Sequence, residues 1–116
     1  MAITEAFANT QAVVATEHSC PRDATYDIAQ PQTDDGVYQA FFDVSDMVAG
    51  DLLEIRVYEK VQAADTQRVL YLATLVGAQS IPVYVLPSLV LMNGWDITLK
   101  GTAASITVTW SIRKVA

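Results

Sequence analysis

Cysteine occurs once in this sequence, at Cys20, and histidine once, at His18. A lone cysteine excludes an intrachain disulfide, so nothing suggests a secreted, disulfide-stapled scaffold. One cysteine and one histidine also fall short of the three or four ligands a zinc site needs. Glycine is sparse, with 5 residues scattered along the chain, and neither a Walker loop nor a G-x-G-x-x-G loop is present. Cationic side chains are few: 7 Lys plus Arg stand against 13 Asp plus Glu, a net charge of -6. Phosphate backbones and anionic membranes are bound by clustered Lys and Arg, so this balance argues against both partners. The longest apolar stretch, Ile81 to Met92, is broken by Pro82, Pro87 and Ser88 and is too short for a spanning helix. Met1 to Phe7 lacks the basic start and apolar run of a secretory signal. These absences predict a soluble protein made in a reducing cytoplasm.

What is present is apolar. Hydrophobic residues make up 52% of the chain, charged residues 17%, and the mean hydropathy is +0.27. Such a composition folds rather than staying disordered. A length of 116 residues suits one domain, 1–116, with its own core. Few charges are left to cover its surface, so a partner or a homo-oligomer is expected to cover part of it.

The dominant periodicity is two, the repeat of a strand with one face on a core. Leu53, Ile55, Val57 and Val61 alternate with Glu54, Arg56, Tyr58 and Lys60. Trp95, Ile97 and Leu99 alternate with Asp96, Thr98 and Lys100, and Ile106, Val108, Trp110 and Ile112 with Thr107, Thr109, Ser111 and Arg113. Asn93-Gly94 is the signature of a two-residue hairpin turn, which would pair Leu89–Met92 with Trp95–Leu99. Gly101 to Ala104 then turns into the last strand, so the C-terminal third reads as a three-stranded meander.

Upstream, the turn residues Asp34-Asp35-Gly36 lead into Val37–Val44, with Val37, Phe41 and Val44 as core candidates. Gln67–Val76 is apolar on both faces, which predicts either a central strand or an exposed face that a partner covers. Val83–Leu86 is a short strand that Pro87 confines to an edge or bend. Ala12–Ser19 is a further strand, and Cys20 to Gln32 is irregular. Seven or eight short antiparallel strands separated by turns predict an all-β sandwich or jelly-roll-like fold.

No residue set carries chemistry. A Cys–His nucleophile pair needs direct contact and a third group to orient the ring. In extended chain His18 and Cys20 would sit roughly 6.5 Å apart on one face with no such group, so both read as structural. Asp34-Asp35-Gly36 lacks the alternating ligands of a calcium loop and reads as a turn. The expectation is a non-enzymatic protein with no catalytic residues, cofactor or metal. Trp95 and Trp110 fall on inward faces. Tyr58 shares an outward face with Arg56 and Lys60, a combination enriched at interfaces. Phe7 is the lone anchor of Met1 to Gln11, which reads as a frayed tail or as an extended arm that orders on a neighbouring subunit. With Tyr71 and Tyr84, these make the candidate interface set Phe7, Arg56, Tyr58, Lys60, Tyr71 and Tyr84.

Four stretches, Asp35 to Gln39, Val57 to Val61, Gly94 to Lys100 and Trp110 to Val115, resemble a group of small tailed-phage proteins often encoded near the major capsid protein. The resemblance covers roughly Asp35 to the C-terminus. It implies a virion structural protein on the head surface, a capsid decoration (cement) subunit that contacts the major capsid protein or other virion proteins. A homo-oligomer, trimer or other closed ring, accompanies that expectation. The alternatives are a neck, tail or fibre protein, or a carbohydrate- or receptor-binding sandwich. No catalytic residue carries over.

Overall fold

Ten strands account for most of the chain in the computed structural model, which describes residues 2–115. In order they are β1 (Ile3–Val13), β2 (His18–Ser19), β3 (Ala24–Thr25), β4 (Gly36–Asp43), β5 (Leu52–Glu59), β6 (Arg68–Val76), β7 (Val83–Val85), β8 (Leu89–Leu91), β9 (Asp96–Lys100) and β10 (Ile106–Val115). They form two five-stranded antiparallel sheets. Sheet A runs β1-β10-β4-β7, with β8 also paired to β4, and sheet B runs β3-β2-β9-β5-β6.

The sandwich follows from the alternation. Leu53, Ile55 and Val57 of β5, Ile97 and Leu99 of β9, and Ile106, Val108, Trp110 and Ile112 of β10 are all buried in one core. The two tryptophans lie inside, as their positions predict: Trp95 is 0% and Trp110 1% exposed. Trp95 packs on Tyr38 with ring centroids 4.6 Å apart and donates its indole N–H to the Asp34 carbonyl at 3.0 Å. Asp34-Asp35 is not a turn but irregular chain that leads directly into β4 at Gly36, and it anchors the core from outside; Lys114 closes on the Asp34 carboxylate at 3.0 Å.

Several expectations are corrected. The C-terminal strands do not form a meander, because β8 joins sheet A, β9 joins sheet B and β10 returns to sheet A. Asn93-Gly94 is a crossing between sheets. Gly94 does take a positive φ of 59°, but the polar groups a hairpin would close on itself have other partners. The Glu59 carboxylate accepts from Met92 N–H at 2.7 Å and Asn93 N–H at 2.9 Å. Lys60 N–H donates to the Asn93 carbonyl at 2.9 Å, and Gln67 donates to the Gly94 carbonyl at 2.9 Å.

In β4 the inward residues are Tyr38, Ala40 and Phe42, so Val37 and Phe41 face outward; only Val44, beyond the strand, is in the core as expected. Phe42 is in register with the buried Trp110 of β10 and Ala40 with the buried Ile112, while Tyr38 packs on Trp95. The Leu53–Val61 strand stops at Glu59, and Val61 is exposed. The expected Ala12–Ser19 strand is two strands, β1 and β2, parted by bends after Val13. Met1 lies outside the described residues, and Ile3–Val13 is neither a frayed tail nor a detached arm. It pairs with β10 from Ile3↔Val115 to Val13↔Ile106, with a bulge at Ala6. Lastly, β6 is an edge strand, not a central one.

Candidate interaction surfaces

The outer face of sheet B is roofed by the chain's own segment after β2. Glu17, just before β2, sits over β5 and β9. Its carboxylate accepts from the Tyr58 hydroxyl at 2.6 Å and the Thr98 hydroxyl at 2.6 Å, with Arg56 at 3.8 Å. Tyr26 stacks flat on Tyr58, centroids 4.6 Å apart at 15°, and donates to Gln67. Beneath them Asp96 is fully buried. Its Oδ1 accepts from Ser19 at 2.7 Å and from Ile97 N–H at 2.8 Å, while Oδ2 has no partner. Burial pushes this carboxyl up to about 6, against the pull of those hydrogen bonds and of Arg22.

This roof decides where the candidate interface residues fall. Tyr58 is on the outward face, as alternation requires, but it is buried under Tyr26 rather than open. Arg56 is paired with Glu54 at 2.8 Å beside the same cluster. Lys60 lies across Gly94. Phe7 packs its edge on Trp95, centroids 6.2 Å apart. Tyr71 and Tyr84 are half-buried and bonded to each other, hydroxyl to hydroxyl, at 3.1 Å. The first three gather around sheet B's outer face, and the other three close the sandwich. Each has contacts within the chain.

His18 and Cys20 do not meet as a reactive pair. The His18 ring packs near Trp110 at 5.6 Å and bonds Asp23 at 3.0 Å. Cys20 is buried, and burial holds its thiol well above the ordinary range, which disfavours the thiolate a nucleophile needs. Among the described residues, no group of three or more His, Cys, Asp or Glu could hold a metal ion.

The open apolar surface lies elsewhere, in two places. On sheet A one row crosses four strands in register, Ile3↔Val115↔Val37↔Val90, with Ile3 66% and Val90 74% exposed. A second row adds Phe41↔Val85, with Arg113 stacked over Phe41 at 3.9 Å. On sheet B the open face belongs to β6, where Leu72 is 53% and Val76 67% exposed beside Val69 and Leu70. The double apolar pattern of β6 predicted either a central strand or an exposed face, and the structure shows the exposed face. The sheet A rows were not visible in the sequence, because Val37 and Phe41 read as core and Ile3 and Val90 sat in segments with no alternation.

No protein-family model matches the chain, and neither does any curated protein. Among solved structures, a chain of the Bacillus endospore appendages, described as a novel family of disulfide-linked pili, aligns with 98% of this chain and 85% of its own length. The identity is 16% and the TM-score 0.48.

Proposed function

We propose that this chain is a non-enzymatic structural subunit of a tailed-phage virion and, within that class, a decoration (cement) protein of the mature head. The observation that carries the reading is the apolar surface left open on both sheets, the Ile3–Val115–Val37–Val90 row on one and β6 on the other. Contiguous exposed apolar patches mark sites that another protein covers. The resemblance of the segments from Asp35 onward to small phage proteins supplies the particle. The partner is the major capsid protein, with neighbouring copies of this chain beside it. Each copy adds a modest interface, and repetition over the shell multiplies the effect through avidity.

The same surfaces suit a neck or tail ring, and location on the particle separates the two. Particles purified from a lysate that makes the chain should carry its peptides in the head fraction. Heads lacking it should release their genome at a lower temperature than complete heads. Peptides confined to the tail fraction would move the chain to the neck or tail. Their absence from purified particles would overturn the virion reading.

A further inference from the structure

Each side of the sandwich pairs one long strand edge with one blunted edge. Asn9 with Asp23, and His18 with Trp110, bring β1 and β10 against β2 and the turn after it, so β1 and β3 share one side. Tyr71 with Tyr84 brings β6 against β7 on the other. The blunt partners are the two-residue β3, and β7, three residues long between Pro82 and Pro87. Short strands and prolines are what natural sheets use to stop edge pairing. β1, eleven residues long, and β6, nine residues long, have neither of these, and each carries one bulge and one charge. Among the described residues, no main-chain hydrogen bond joins the outer edge of either strand to another segment. The two open edges lie on opposite sides and in opposite sheets.

Their charges are complementary. Glu5 is the only charged residue of β1 and Arg68 the only one of β6. Arg68 has no side-chain hydrogen bond or ion pair among the described residues, and Glu5 bonds only the Ser111 hydroxyl. An antiparallel pair of two β6 or two β1 strands leaves each charge opposite an uncharged residue near the partner's far end, and a parallel pair sets like charges together. Setting β6 beside β1 matches opposite charges, and opposite charges across a strand pair stabilise it. The match also fixes direction. Both charges stand near the start of their strands, and with Glu5 beside Arg68 the chains run parallel, with Val13 arriving beside Val76. The bulges, at Ala6 in β1 and Leu70 in β6, then fall at the same end of the pair.

We propose that copies of this chain associate head to tail, the β6 edge of one copy pairing in parallel with the β1 edge of the next, so that sheet B of one continues into sheet A of its neighbour. This rests on the reading of the chain as an assembly subunit and adds the contact by which the copies join. A heterologous contact of this kind closes into a ring or runs on as a filament, according to the rotation per contact.

The test is light scattering after size exclusion on the full chain, the variants Arg68→Glu and Glu5→Arg, and the double charge swap. Within the chain Arg68 stands opposite Glu59 and Glu5 opposite Arg113, with no ion pair to either, so circular dichroism checks the fold of each variant, and the neutral Arg68→Gln and Glu5→Gln replace any charge reversal that does not fold. The wild type is expected to form a ring or filament, each single variant to weaken association at least tenfold, and the swap to restore it. An oligomer indifferent to both single changes would overturn the β1–β6 contact while leaving an assembly subunit. So would a dimer that responds to Arg68→Glu but not to Glu5→Arg, since it would pair β6 with β6. A monomer at every concentration reached would overturn it as well, and the head-fraction experiment would still decide the virion reading.

Discussion

The hydroxyls of Tyr71 and Tyr84 lie 3.1 Å apart, and their hydrogen bond ties β6, the last strand of sheet B, to β7 on the margin of sheet A. The seam closes here through one polar contact between two half-buried rings. Tyr84→Phe should lower stability by about 1 kcal/mol, the ordinary worth of such a bond. The double Tyr71→Phe/Tyr84→Phe variant should cost little more than one substitution, because both remove the same bond. Urea unfolding of the three variants checks this; strictly additive losses would mean that each hydroxyl bonds independently. Burial and the Tyr71 hydrogen bond also push the Tyr84 hydroxyl up to about 12. The folded state thus holds this proton more tightly than the unfolded chain, and stability should fall as pH rises from about 10 to about 12.

Glu17 ties the roof to the sheet through Tyr58, Thr98 and Arg56. Glu17→Ala leaves two hydroxyls short of an acceptor and removes a carboxylate from beside Arg56, which keeps Glu54, and should cost about 2–3 kcal/mol. Tyr58→Phe removes one of the three contacts and should cost about 1 kcal/mol. Equal losses in the two variants would show that the Tyr58 bond alone holds the segment down.

Asp96 sets a pH dependence of definite sign. Its carboxyl titrates near 6 in the fold and near 3.9 in an unfolded chain. Stability is therefore complete at low pH and declines as pH rises between those values, by an amount of order 1–3 kcal/mol. Asp96→Asn keeps an acceptor for Ser19 and Ile97 without the buried charge. It should melt several degrees higher than the wild type at neutral pH and show a flatter profile below pH 6. Thermal melts across that range decide the point, and a variant that melts lower at neutral pH would show that the ionised form has a compensating partner.

Leu72 stands on the open face of β6, paired with Arg56 of β5. Leu72→Glu should change unfolding free energy by less than about 0.5 kcal/mol, as exposed substitutions do. It should nonetheless abolish binding to heads or to other copies, measured by co-sedimentation. Undiminished binding would place the covered face on the Ile3–Val90 row of sheet A instead.

Sequence alternation exposed β5, β9 and β10 and the core they build, because a period of two reports which way a side chain points. It does not report which strand lies alongside. Asn93-Gly94 has the chemistry of a hairpin, and only Glu59 and Gln67, distant in sequence, divert it into a crossing between sheets. Val37 and Phe41 misled because they alternate as well as Tyr38 and Phe42 do, and parity in β4 is settled by contact with Trp95 and β10. β1 was hidden because Thr, Ala, Asn and Gln occupy both of its faces, so its place depends on main-chain pairing. Tyr58 read as open because the roof over it, from Cys20 to Gln32, carries no periodic signal.

The pairing of β1 with β10 has a consequence for synthesis. Ile3 is made well before Val115, and the two are partners in one sheet. While the chain is being elongated, β1 has no neighbour, and the β10 slot between it and β4 stands empty. Sheet A can close only once residues 106–115 have left the ribosome, a long loop closure that is slow by nature. A chain that still lacks β10 therefore has no finished sheet A, and β1 and β4 stand as unpaired edges until that strand arrives.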